Sequence, residues 1–126
     1  MTPDDFTRAF AYAFADQDAA GLADLIAPEG SLQTLTGVWA EGRAATEAAF
    51  AAEFSGLFAR ARLVTGKGSV LPLGPHTALL RQRFVVTGAI DQNASEIPRF
   101  GAMLVAVLQA DDVNWRALSL TITLLA

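Results

Sequence analysis

FGAMLVAVLQADDVNWRALSLTITL, residues 100–124, consists of two alternating runs joined by a short polar turn. In the first run Phe100, Ala102, Leu104, Ala106 and Leu108 share one face, and Met103, Val105 and Val107 share the other. In the second, Leu118, Leu120 and Ile122 face one way, and Ala117, Ser119, Thr121 and Thr123 the other. A period of two sustained over this length marks β-strands. The segment 110–114, with Asp111, Asp112 and Asn114, has hairpin-turn chemistry. Antiparallel strands are therefore predicted over 100–109 and 115–124.

Working back from this pair, residues 77–87 read as another strand, reached through a turn at Pro72-Leu73-Gly74-Pro75-His76. Residues 63–71 read as a strand interrupted by Gly66 and Gly68, which point to a bulge or bend. Residues 88–98 form a longer polar loop. The N-terminal half has a helical period instead. Thr2 can cap a first helix, Pro3 suits its first position, and Phe6, Phe10 and Phe14 recur at i, i+4 and i+8 with Ala13 beside them. That helix is predicted to end near Ala15. Asp18 caps a shorter helix running to about Ile26, weakened by Gly21. Pro28-Glu29-Gly30 stops it and turns the chain. A short strand follows over 31–36. A third helix starts near Arg43, with Ala48, Phe50, Phe54, Leu57, Phe58 and Ala61 as its apolar stripe. Helices followed by a meander of strands predict an α+β fold with a mostly antiparallel sheet, formed as one domain over residues 1–126.

Composition narrows the function classes. The chain is 52% apolar with net charge −4, and its nine basic residues are scattered, which argues against a nucleic-acid partner. Without cysteine it has no disulfide, no thiolate metal site and no thiol nucleophile. The longest apolar run, 100–108, falls far short of the roughly 20 residues that span a bilayer. The acidic start lacks the pattern of a signal peptide, so a cytoplasmic location is expected, with no membrane partner. No glycine-rich phosphate loop or metal-ligand spacing occurs, so no cofactor is expected.

Four short motifs in order add a resemblance. Ala15-Asp16-Gln17-Asp18 follows the first helix, and Leu25-Ile26-Ala27-Pro28-Glu29-Gly30 leads toward the first strand. Gly42-Arg43-Ala44-Ala45 opens the third helix, and Asp112-Val113-Asn114-Trp115-Arg116 turns into the last strand. This order resembles the nuclear transport factor 2-like superfamily, with its SnoaL-like cyclases, ketosteroid isomerases and SgcJ/EcaC-type proteins. The resemblance implies a cone: three N-terminal helices packed on a strongly curved sheet, with a pocket open at one end. Many relatives dimerise through the outer sheet face.

The resemblance also allows a catalytic test. Isomerases of this kind need a carboxylate base, a tyrosine and a protonated acid. The corresponding positions in this chain fall at Thr34, Phe10 and Leu104, which cannot do that work. Tyr12 lies two residues from the tyrosine position, on a different helix face. The leading reading is therefore a small-molecule binding domain with an apolar pocket between helices and sheet, contacted by Tyr12, Gln33, Thr34, Trp39 and Phe54. One alternative is a SnoaL-like or SgcJ/EcaC-type enzyme acting on a polyketide-like or cyclic substrate, using Tyr12, an arginine or a bound water. The other is a dimerisation module with a packed cone.

Among the remaining polar residues, His76 reads as a turn residue, Arg43 as a salt bridge or helix-end contact, and Trp115 as packing. Arg81 and Arg83 share one strand face with Gln82 opposite. Their guanidinium forks suit a carboxylate or phosphate, and equally a solvated face or a dimer contact. The nearly uncharged outer face of the last two strands predicts a homodimer.

Overall fold

The computed structural model describes residues 2–125. Its elements run α1 (Pro3–Ala15), α2 (Ala19–Asp24), β1 (Ile26–Gln33), β2 (Trp39–Glu41), α3 (Gly42–Phe54), β3 (Arg62–Gly74), β4 (Thr77–Thr87), β5 (Phe100–Ala110) and β6 (Trp115–Leu124). The strands form one open sheet in the order β2-β1-β6-β5-β4-β3. Every neighbouring pair is antiparallel except β1 with β6, which run parallel. This is the expected α+β architecture of helices on a mostly antiparallel sheet. Among the described residues no helix is long and apolar enough to cross a membrane.

Local chemistry starts the helices. The Thr2 amide donates to Asp5 Oδ2 at 2.8 Å, and Asp4 and Asp5 place negative charge at the positive end of α1. The Gly21 amide donates to Asp18 Oδ1 at 2.9 Å, so Asp18 caps α2 as expected. α2 ends at Asp24, short of the expected Ile26, because Ile26 instead opens β1 opposite Ala117 of β6. Pro28-Glu29-Gly30 does not turn the chain. It lies inside β1, within the register shift between Ile26 and Ser31. Gly30 permits the close approach of the two strands: a Cβ there would stand 2.6 Å from the Ala117 carbonyl oxygen.

The third helix corrects its predicted stripe. Thr46, Phe50 and Glu53 form its buried face, while Ala48 is exposed. Alanine is too weakly hydrophobic to choose a face when a phenylalanine two residues away competes. Leu57, Phe58 and Ala61 lie past the helix end, yet Phe58 and Ala61 still enter the core. In the sheet, β3 continues through Pro72-Leu73-Gly74, so the turn narrows to Pro75-His76. On β6 the alternation breaks at Leu118: Val107 pairs with Ser119 but Leu108 pairs with Ala117. The extra residue makes a bulge, which turns Ala117 inward to full burial and leaves Leu118 half-buried.

The core is chiefly phenylalanine. Phe10 lies 6.4 Å from Phe6, 6.5 Å from Phe14, 6.2 Å from Phe50 and 6.3 Å from Phe84, measured between ring centroids. Phe14 passes the contact on to Phe54 at 5.2 Å and Phe58 at 5.6 Å. Rings at these separations gain about 0.5–1.5 kcal/mol per pair beyond their burial. One ring of α1 therefore touches α3 and β4 at once and fixes the layer spacing.

The β5–β6 hairpin is held by Asp111. Its Oδ1 accepts from the amides of Asn114 at 2.7 Å and Val113 at 2.8 Å. Its Oδ2 pairs with Arg116, whose Nε also donates to the Asp24 carbonyl at 3.0 Å. The hairpin is thereby clipped to the end of α2.

Two outcomes follow from this packing and this clip. Phe10→Ala should cost about 3–5 kcal/mol in urea unfolding, and a loss under about 1 kcal/mol would show that the ring is not the hub. The amides of Asn114 and Val113 first, and Arg116 after them, hold the Asp111 carboxyl below its ordinary value. A lowered folded pKa stabilises the fold above the unfolded value, and that contribution is lost as pH falls through the folded one. Melting temperature followed below about pH 4 should therefore fall less steeply in Asp111→Asn than in the native chain.

Candidate functional site

The five predicted contacts do not converge. Thr34 and Phe54 lie inside: Thr34 is 1% exposed, and Phe54 is half-buried beside Phe14 and Phe50. Gln33 and Trp39 are Cα partners on the β1–β2 ladder, on the face opposite buried Leu32 and Ala40. They therefore sit together on the outer side of the sheet, where the Trp39 indole donates to Glu41 at 3.2 Å. Tyr12 is 73% exposed, on the side of α1 away from the phenylalanine stripe. Where the ligand was expected, between α1, α3 and the inner sheet face, the rings of Phe6, Phe10, Phe14, Phe50, Phe58 and Phe84 are packed together, each at most 1% exposed. Phe10, Thr34 and Leu104, the positions the resemblance would make catalytic, are all buried in or against this core.

The residues singled out on weaker grounds take structural places. His76 is exposed at the tip of the β3–β4 hairpin, where its carbonyl accepts from Ala110 at 2.8 Å. Arg43 Nε donates to the Ile26 carbonyl at 2.8 Å, tying the start of α3 to β1. Trp115 packs half-buried against the core.

One polar group went unread in the sequence. Glu53 is 7% exposed and accepts from the Thr36 hydroxyl at 2.6 Å. Thr36 Oγ1 lies 3.0 Å from Thr34 Oγ1, which also accepts from the Val38 amide at 3.1 Å. A hydroxyl has one proton to give, and Thr36 gives it to the carboxylate, so Thr34 must donate to Thr36. The donors run in one direction, from the Val38 amide through Thr34 and Thr36 to Glu53. Among the described residues no Lys, Arg or His pairs with Glu53, so this relay is what offsets the cost of burying its charge. The chain thus holds a carboxylate two hydrogen bonds from Thr34, the position where a base was sought. Its sequence signal was the spacing of Thr46, Phe50 and Glu53, one helical stripe.

An open cleft lies just past the end of α3. Ser55, Gly56 and Leu57 after α3 face residues 90–94 of the β4–β5 loop across a cavity of about 740 Å³. The Glu53 carbonyl accepts from Gly56 at 3.2 Å and Phe58 at 2.9 Å, which shapes one wall. The Ile90 amide donates to the Leu57 carbonyl at 2.9 Å and joins the two walls at the base. Asp91 Oδ1 accepts from the amides of Asn93 at 2.9 Å and Ser95 at 3.0 Å, which stiffens the other wall. Leu57 and Ile90 are the half-buried apolar residues of the lining, and the rim is polar.

No protein-family model matches the sequence, and no curated protein matches it. Solved structures do match over nearly its whole length. An uncharacterised protein with a cystatin-like fold from Caulobacter vibrioides superposes with a TM-score of 0.85 at 17% identity, covering 98% of this chain and 87% of that one. A ketosteroid isomerase-like protein from Erwinia carotovora atroseptica gives 0.82 at 12% identity, covering 98% and 93%. A nuclear transport factor 2-like protein with a cystatin-like fold from Novosphingobium aromaticivorans gives 0.78 at 20% identity, covering 96% and 78%. Likeness at such identities is one of fold, and the fold is the nuclear transport factor 2-like cone that the four motifs suggested.

Thr36→Val keeps the side-chain shape and removes the hydroxyl next to Glu53. It should cost about 1–3 kcal/mol in urea unfolding, and almost nothing in a Glu53→Leu background. Equal losses in both backgrounds would mean that the relay does not support the carboxylate.

Proposed function

We propose that this chain is a small-molecule binding domain whose site is at the mouth of the cone, in the cleft between residues 55–57 and 90–94. The observation that carries the reading is the cleft itself. At about 740 Å³ it falls within the range of small-ligand sites, which are apolar with a few polar groups at the edge. The interior is filled with aromatic rings, so a ligand entering the cone would first have to displace them. Leu57 and Ile90 would contact an apolar or weakly polar ligand, with Ser55 and Asn93 at its polar edge. Tyr12 and Trp39 have no part in this site.

A second reading rests on Glu53. Structural relatives include a ketosteroid isomerase-like protein, and a carboxylate base was one of the groups missing from the expected catalytic positions. Glu53 with its threonine relay would supply a base for proton transfer on a cyclic or polyketide-like ketone. Proton NMR in deuterium oxide with 2-tetralone as probe decides it. Exchange at the carbon next to the carbonyl, above the buffer rate and lost in Glu53→Gln, supports the enzyme; exchange at the buffer rate rejects it.

The proposed partner is a second copy, docked through the outer face of β5, β6 and β1. Val105 is 37% exposed there, among Met103, Val107, Ser119, Thr121 and Thr123. A two-fold contact brings residues near its axis against their own copies. Arg81 and Arg83 on β4 would then face like charge, so the axis belongs on the β1 side of the sheet.

Native mass spectrometry, together with titration of 1-anilinonaphthalene-8-sulfonate, tests site and partner. Gly56→Trp should fill the cleft without strain, because a Cβ at Gly56 meets nothing within 4 Å. Dye binding should weaken at least about tenfold in that variant, the loss of roughly 1.4 kcal/mol of contact. Unchanged binding would place the dye elsewhere and remove the mouth as the site. A dimer with neither retained mass nor dye response would make the chain a dimerisation module, and a monomer would remove the sheet-face contact.

A further inference from the structure

Lys67, Arg81 and Arg83 converge on the outer face of the β3–β4 ribbon, in a chain whose net charge is −4. Among the described residues the ion pairs join Arg8 to Asp5 and Arg116 to Asp24 and Asp111, and none involves these three cations. Like charges side by side on a sheet repel, so the cluster costs stability unless something negative sits on it.

The backbone is arranged to bring the third cation in. Thr65 pairs with Phe84 and Gly68 with Gln82, so Gly66 and Lys67 together oppose Arg83 in a β-bulge. The bulge is held from inside the fold. Gln82 is 5% exposed, and its Nε2 lies 2.9 Å from the Gly66 carbonyl, 3.2 Å from that of Lys67 and 2.9 Å from that of Arg83. Gly68 makes room for this amide, since a Cβ there would stand 2.0 Å from Gln82 Oε1. A buried glutamine thus fixes the bulge that sets Lys67 beside two arginines spaced i, i+2 on one face.

Two clefts meet at this point. One, of about 380 Å³, is lined by Lys67, Gly68, Ser69, Arg81, Arg83 and Met103. The other, of about 610 Å³, shares Lys67 and Arg83 and continues over Val85, Gly101 and Leu125. The first offers two guanidinium forks, an ammonium and a hydroxyl, the donor set that suits a dianionic oxyanion. The second offers an apolar shelf next to it. We propose that this ribbon binds an organic phosphate monoester, with the phosphate on Lys67, Arg81 and Arg83 and the organic group on the shelf of Val85 and Leu125. The site is separate from the cleft at the mouth and does not depend on it.

Isothermal titration with phenyl phosphate and with inorganic phosphate, at constant ionic strength set with sodium chloride, tests this. Phenyl phosphate should bind more tightly than inorganic phosphate. Arg81→Gln/Arg83→Gln should weaken it at least about tenfold, as expected when two charge-assisted hydrogen bonds are lost. Arg62→Gln/Arg99→Gln makes the same change in net charge at exposed positions that line neither cleft and should leave binding within about twofold, because salt screens charges that do not touch the phosphate. All four positions are exposed, and the melting temperature of each variant confirms its fold. Equal weakening in both double variants, or no binding by the native chain, overturns the site. So does dissociation of a dimer in Arg81→Gln/Arg83→Gln without a phosphate response in the native chain, which would assign the cluster to the interface.

Discussion

The contact between Phe10 and its four ring neighbours is the constraint on which the other layers depend. Among the described residues α1 has no hydrogen bond to the sheet beneath it, so its position is set by how its aromatic stripe packs. Phe6, Phe10 and Phe14 lie along one side of the helix and meet Phe50 from α3 and Phe84 from β4. All eight phenylalanines of the chain lie in this core or pack against it. Large rings bury much apolar area with few rotatable bonds, so they fill space at a low cost in side-chain entropy. The consequence for function is direct: rings packed this way occupy the space between α1, α3 and the inner sheet face where a ligand was expected.

Irregularities in the strands then decide what those features are. The bulge in β1 at residues 27–30 lets Ile26 pair with Ala117 and still brings Leu32 inward at full burial. The bulge at Leu118 turns Ala117 inward. The bulge at Gly66 and Lys67 gathers cations on the outer face. In each case extra residues on one strand change which side chains share a face, and therefore what that surface can bind.

Glu53 and the cleft past the end of α3 are linked through one residue. Its side chain ends the threonine relay, and its carbonyl anchors the turn that makes one wall of the cleft. The three solved relatives share the cone at 12–20% identity, and at that distance the chemistry of each chain resides in its own side chains rather than in the common backbone.

Periodicity made most of the fold legible. The stripe of α1, the Asp18 cap, the strands at 77–87, 100–109 and 115–124 and the hairpin at Asp111 are local patterns, and local patterns are written in neighbouring residues. The bulge signal in Gly66 and Gly68 was also there to read, as was the shared face of Arg81 and Arg83. Other features arose from contacts between residues far apart in the chain. Whether Pro28-Glu29-Gly30 turned or stayed in a strand depended on β6, more than 80 residues later. Whether Tyr12 and Trp39 pointed inward depended on their neighbours: the phenylalanine stripe took the inner side of α1, and Ala40, opposite Leu32, took the inner face of β2. The burial of Glu53 rested on two threonines from another segment, and the convergence of Lys67 with Arg81 and Arg83 on a buried glutamine across the ladder. Sequence alone determined the elements and their order, because backbone period and turn chemistry are short-range. Only the tertiary structure decided which polar groups met, because their partners are set by packing.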